Sequence, residues 1–146
     1  MYRDPDLEAF CAFFNKLDKT CTQNIDRVYT EDVTFIDPLH RIDGRKALES
    51  YFRGLYENVT RCRFTFHETL RQGDTAFVTW TMHLVHPRLD RGREVEVPGC
   101  SHLRFAEDQS GRVAGHRDYF DAGAMLYEHL PVLGTAVRWV KGRLAE

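Results

Sequence analysis

The 146-residue chain suits one domain with a sizeable core, since domains of about 150 residues remove about 68–70% of their unfolded surface from water. Its 20 basic and 22 acidic residues leave a net charge of −2, which argues against a nucleic-acid surface, because neutralising phosphates needs clustered Lys and Arg. The opening MYRDPDLEAF has no basic region followed by an apolar run, and no apolar stretch reaches the ~18 residues of a spanning helix, so no signal peptide or membrane span is expected and the cytoplasm is the default location.

In chain order, Asp4 and Pro5 read as an N-cap followed by proline at the first helical position. Leu7, Phe10, Cys11, Phe14 and Leu17 recur at helical spacing behind them. Thr22 is placed to cap a short second helix carrying Ile25, Val28 and Tyr29. A strand follows, in which alternation puts Val33, Phe35 and Asp37 on one face, so Asp37 continues an apolar face. Pro38 stops it, and the loop LHRIDG leads to a third helix from Arg45 to about Tyr56, with Ala47, Leu48, Tyr51, Phe52 and Leu55 as its buried stripe.

The period then changes to two. Cys62, Phe64, Phe66 and Leu70 alternate with polar residues, and Gly73 with Asp74 supplies a hairpin turn. Ala76, Val78, Trp80, Met82 and Leu84 share one face of the next strand. After the turn from Pro87 to Gly92, Val95, Val97, Gly99, Ser101, Leu103 and Phe105 share a face, which turns Ser101 inward and His102 outward. A helix is expected from about Ala122 to His129, and a last segment from Thr135 to Leu144, read as a lid or a subunit contact rather than a membrane-surface helix.

Between these lies Arg112–Asp121, RVAGHRDYFD, which crowds a histidine, arginines and two aspartates into a run that otherwise reads as a strand. Burying a lone carboxylate costs several kcal/mol unless it is paired or hydrogen-bonded. These side chains therefore face water or line a cavity that uses them, and the cavity, with Asp118 inside it and Asp37 across from it, is the reading adopted.

The four cysteines, Cys11, Cys21, Cys62 and Cys100, form no CxxC or CxxH pair, so reduced thiols are expected and neither a zinc nor a redox motif is signalled. His83 and His86, three apart on a strand, fall on opposite faces, which disfavours joint ligation. No metal and no cofactor are expected. Helices first and long antiparallel strands after describe an α+β fold with helices covering one face of a curved sheet.

That order, with TEDVTFIDPLHRIDGRKALESYF and GRVAGHRDYFDAGAML as its most telling segments, resembles the nuclear transport factor 2-like superfamily, and within it the SnoaL-like group. The resemblance covers nearly the whole chain. It implies a cone-shaped, strongly curved antiparallel sheet wrapped around the N-terminal helices in one domain over residues 1–146, with homodimerisation through the open outer face. The segment EDVTFIDP is similar to the steroid isomerase segment whose aspartate before proline is the general base, which places that role on Asp37; the isomerase's two oxyanion positions correspond to Phe13 and Ser101. GHRDYFD is similar to the limonene epoxide hydrolase motif, whose first aspartate corresponds to Asp118 and whose remaining two acid–base positions correspond to Trp80 and Met82.

The expectation is thus a cofactor-free enzyme acting on a small hydrophobic molecule, polyketide-like or terpenoid, with Asp37, Asp118 and His116 as catalytic residues. Phe13, Phe35, His40, Trp80, Met82, Ser101 and Phe120 are the expected substrate contacts. Like charges sharing an apolar pocket push one proton on and keep the other off, so one carboxylate would serve as acid and the other as base. The alternatives are a non-catalytic carrier of a small apolar ligand, and an interaction module using the outer sheet face, where Thr65, His67, Thr79, Thr81 and His83 offer polar contacts.

Overall fold

Helix α1, Pro5–Lys16, begins as its sequence dictates. The Asp4 carboxylate accepts from the N–H groups of Asp6 and Leu7 at 2.9 and 3.1 Å, satisfying two donors that a helix start leaves orphaned. This computed structural model describes residues 4–17, 24–123 and 133–145. Thr22, Cys21 and most of the helix expected from Ala122 to His129 lie outside them.

The order continues α2 (Ile25–Val28), β1 (Tyr29–Ile36), β2 (Arg41–Asp43), α3 (Arg45–Glu57), β3 (Arg61–Gln72), β4 (Thr75–Val85), β5 (Glu94–Phe105), β6 (Val113–Phe120) and α4 (Leu133–Leu144). One six-stranded sheet runs β2-β1-β6-β5-β4-β3, unclosed, with β2 and β3 as its edges. Four of its neighbour pairs are antiparallel, whereas β1 and β6 run parallel, so the sheet is mixed. The parallel pair joins segments distant in sequence, and no hairpin signal could announce it.

The sheet must curl around α1. From β1 to β3 is four steps across the sheet, about 19 Å if flat. Yet adjacent residues of the one helix reach both: the ring of Phe13 lies 6.1 Å from that of Tyr29 on β1, and the ring of Phe14 lies 5.7 Å from that of Phe64 on β3. Around them Phe10, Leu48, Val33, Val78, Leu103, Phe105 and Val113 form the core, all below 2% exposed, and each large side chain so buried stabilises the fold by roughly 1.5–3 kcal/mol.

Three local readings change. Tyr29 opens β1 instead of closing α2, because its backbone pairs with Val113 of β6. LHRIDG is not all loop, since Arg41–Asp43 adds an edge strand against β1. Leu70 is exposed, because β3 carries an extra residue between Phe66 and Thr69 relative to β4, and this bulge flips the alternation beyond it. The same flip turns Arg71 toward α1, where its guanidinium bonds to the Asp4 and Asp6 carboxylates and lies 4.1 Å from the Phe105 ring centroid.

Helix α4 exists where a C-terminal segment was expected, with Trp139, Val140 and Leu144 exposed and Lys141 paired to Asp121. None of its described residues lines the cavity reported below. No helix among the described residues is long and apolar enough to cross a membrane.

Candidate functional site

The concave side of the sheet, between α1, α3 and the β4–β5 turn, holds a cavity of about 790 Å³. Its wall is aromatic and aliphatic: Phe14, Phe35 and Phe52 from α1, β1 and α3, Phe64, Trp80, Met82 and Phe120 from β3, β4 and β6, with Leu55, Val59 and Leu89 beside them. Asp37, His40, Tyr51 and Asp118 are polar exceptions, with His86 and Arg88 on the turn. A neighbouring recess of about 460 Å³ is shared by the same two carboxylates, Asp37 and Asp118.

Asp118 is placed by the pleat of β6, where His116, Asp118 and Phe120 turn inward while Arg117 and Tyr119 stay exposed. Its Oδ1 lies 2.6 Å from the Ser101 hydroxyl and 2.6 Å from His116 Nε2. Ser101 is directly opposite on β5, and in turn accepts from the Trp80 indole N–H at 2.9 Å. On the other side of the imidazole, the Tyr29 hydroxyl is 2.7 Å from His116 Nδ1. Tyr29 has no exposure, and burial, with the Asp118 charge second, pushes its phenol well above the usual range. The phenol therefore keeps its proton; donated to Nδ1, that proton leaves the Nε2–H of His116 to donate to Asp118. Both donors converge on Oδ1, and no described residue bonds to Oδ2.

Asp37 follows the last residue of β1 and is held differently. Its Oδ1 accepts from the backbone N–H groups of Leu39 and His40 at 2.8 and 2.7 Å, an Asx turn that the proline at position 38 favours. Its Oδ2 accepts from the Tyr51 hydroxyl at 2.6 Å. His40 Nδ1 sits 3.0 Å from the same phenol oxygen, whose proton goes to Asp37, so His40 is the donor there. Burial first, and the bond to Asp37 second, push the Tyr51 phenol far above its ordinary value, so it too stays protonated. Both Asp37 oxygens are thus engaged, and one Asp118 oxygen is not.

Of the residues singled out from sequence, Phe35, Asp37, His40, Trp80, Met82, Asp118 and Phe120 line the cavity. His116 and Ser101, 3% and 2% exposed, lie behind the wall and bond to Asp118, with Ser101 also held by Trp80 and the His116 ring packed on Phe14 and Phe35. Phe13 is a correction. It is buried against Tyr29 and Phe14, and the wall position on α1 belongs to Phe14, one residue on and about 100° around the helix. Sequence reading missed Tyr51 and Tyr29 as site residues. Tyr51 stood in the apolar stripe of α3 without any polar signal, and Tyr29 was assigned to a helix, which hid its place beside β6.

The described residues bring metal-capable side chains together only on the opposite sheet face, at His83, Glu94 and Glu96. The polar groups that the described residues bring to the cavity include carboxylates, phenols and imidazoles.

No curated protein sequence matches the chain. Solved structures do. A Mycobacterium tuberculosis protein described as an LEH-like epoxide hydrolase is 22% identical, covering 90% of this chain and 94% of its own, with a TM-score of 0.68. A Shewanella denitrificans protein labelled a SnoaL-like polyketide cyclase is 18% identical over 84% of this chain and 95% of its own, with a TM-score of 0.70. A Catenulispora acidiphila protein with a ketosteroid isomerase-like fold, solved with trimethylamine, is 14% identical over 86% and 92%, with a TM-score of 0.72. At such identities the likeness carries the fold. The sequence profile of the SnoaL-like domain matches residues 7–116, from the first turn of α1 to the histidine beside Asp118, and the chain belongs to that family.

Proposed function

We propose that the protein is a cofactor-free enzyme for a small hydrophobic substrate, polyketide-like or terpenoid, in which Asp118 acts as the base. The observation that carries this reading is the asymmetry of Asp118: two donors hold Oδ1, while Oδ2 has no partner among the described residues and the side chain lines an apolar cavity. A carboxylate so fixed can take a proton from a carbon beside a carbonyl, or from a water, without first breaking its own bonds. Tyr51, protonated and on the same cavity wall, would donate to the oxygen on which charge develops by exchanging its bond to Asp37 for one to the substrate, with His40 donating to the phenol oxygen. Isomerisation, cyclisation and hydrolysis can each use such a pair.

A second reading, a carrier of the same kind of ligand, is favoured by Asp37, whose bonds are complete without any substrate. A further proposal is a second copy of the chain against the outer sheet face, tested by sedimentation equilibrium.

Native mass spectrometry against a metabolite extract would identify the ligand, and turnover of that ligand in D₂O would separate the readings. Asp118→Asn keeps an oxygen that accepts from Ser101 and His116, so the fold should survive. We expect ligand binding to persist and turnover to fall about 10²–10⁴-fold. Turnover that survives the change would remove Asp118 as base; a ligand bound and returned unaltered by the native protein would establish the carrier.

A further inference from the structure

We infer that the outer face of the sheet carries a site for a divalent transition-metal ion of the Zn²⁺ kind, built by His83 on β4 and Glu94 and Glu96 on β5. The site is independent of the cavity. Ala76, Val78, Trp80 and Leu84 of β4 and Val95 and Val97 of β5 are buried beneath the sheet, which turns the intervening residues His83, Glu94 and Glu96 to its other side. His83 is the direct cross-strand partner of Glu96, and Glu94 lies two residues along on the same face.

The first observation is an orphan. His83 is 11% exposed at its side chain, and its Nδ1 has essentially no contact with solvent and no hydrogen-bond partner among the described residues. Its other nitrogen, Nε2, lies 3.0 Å from the Thr65 hydroxyl on β3. With Nε2–H donating to Thr65, the buried Nδ1 presents a lone pair toward two carboxylates. That arrangement is repulsive unless something positive sits between them, and the other tautomer leaves Nδ1–H without an acceptor in hydrogen-bonding geometry.

The second observation says what that is. Nδ1 is 3.5 Å from Glu96 Oε1 and 3.9 Å from Glu94 Oε2, whereas a proton shared between imidazolium and carboxylate draws the heavy atoms to about 2.7–2.9 Å. Ligands held at about 2.1 Å from a tetrahedral ion stand about 3.4 Å from one another. One donor atom from each of the three residues lies within 4.8 Å of the other two.

Glu94 gives its Oε1 to Arg61 and Arg63, at 3.3 and 3.6 Å, and keeps Oε2 for the site. Both arginines are more than half exposed, so water screens them. Glu96 is 66% exposed, which leaves the open side of the site to water. One imidazole with two carboxylates is a borderline donor set that favours the later first-row ions over Mg²⁺ or Ca²⁺, which prefer oxygen alone. The Thr65 hydroxyl fixes the ring orientation, as partners behind a metal-bound histidine do.

The test is calorimetric titration of the full chain, stripped with EDTA and dialysed, with ZnCl₂, alongside the visible absorption of Co²⁺. We expect one ion per chain. Glu96→Gln, at an exposed position that does not threaten folding, should weaken binding tenfold or more, His83→Asn should abolish it, and Thr65→Val should weaken it about tenfold through ring orientation. Circular dichroism confirms that each variant is folded. Absence of saturable binding would overturn the site. So would Zn²⁺ affinity unchanged by Glu96→Gln, which would assign binding to others of the seven histidines. A His83 ring that carries protons on both nitrogens in ¹⁵N spectra and ignores Zn²⁺ would show that a proton, and no metal, lies between the carboxylates.

Discussion

Tyr29 shows how one buried hydroxyl can decide the state of a distant carboxylate. Its proton fixes the tautomer of His116, and the tautomer fixes which nitrogen faces Asp118. Tyr29→Phe leaves His116 Nδ1 without a donor inside the core, a loss of about 1–3 kcal/mol in unfolding free energy. Moving the ring proton to Nδ1 would not help, because Nε2 would then face the Asp118 carboxylate lone pair to lone pair. Urea unfolding of Tyr29→Phe measures this, and a loss under ~0.5 kcal/mol would mean that the phenol is not paired as described. Because the residue does not line the cavity, its effect on turnover should come as an altered pH profile rather than as lost ligand binding.

At the scale of elements, the β4–β5 pair is what carries Trp80 to Ser101. Gly99 is the cross-strand partner of Trp80, and a Cβ at position 99 would penetrate the indole ring far inside van der Waals contact. The indole is rigid and held by Ser101, so it cannot yield without breaking that bond. Gly99→Ala should therefore destabilise by about 1–3 kcal/mol and shift the tryptophan near-ultraviolet signal. An unchanged spectrum and stability would show that the ring has room to move. The bulge in β3 is a second element-scale device: one extra residue exposes Leu70 and supplies Arg71 to the start of α1, joining a sheet edge to the helix that the sheet wraps.

At the scale of the whole molecule, burial holds the thiols of Cys11, Cys62 and Cys100 and the phenols of Tyr29 and Tyr51 in their protonated forms. Burial pushes Cys62, in the cavity wall, up to about 11, against the lowering effect of a bond from Tyr56. Burial, with Glu8 beside it, pushes Cys11 up to about 11. Their ordinary value is 9.0. Between these values the unfolded chain releases protons that the folded chain keeps, so stability is complete below about pH 9 and is lost as pH rises toward 11. The urea midpoint should fall over that interval, and Cys62→Ala should flatten the fall. A midpoint that stays level would mean that these thiols are open to water.

By itself the sequence determined whatever depends on neighbours along the chain. The Asp4 cap, the turn at Gly73 and the alternation of β4 and β5 are set by three-to-four-residue and two-residue periods and appear at their expected residues. Of the expected α3 stripe, by contrast, Leu48 and Phe52 are buried, Tyr51 is half-buried and Ala47 and Leu55 are exposed. The two aspartates were legible too, because a carboxylate in an apolar pattern is costly without a purpose. Only the tertiary structure decided which of the two keeps an oxygen open, that Phe14 and not Phe13 reaches the cavity, that Tyr51 and Tyr29 are partners of the acids, and that β1 lies parallel to β6. The reason is physical: hydrogen bonds between residues such as Tyr29 and His116, or Ser101 and Asp118, follow from the curl and register of the sheet, and neither leaves a period in the chain.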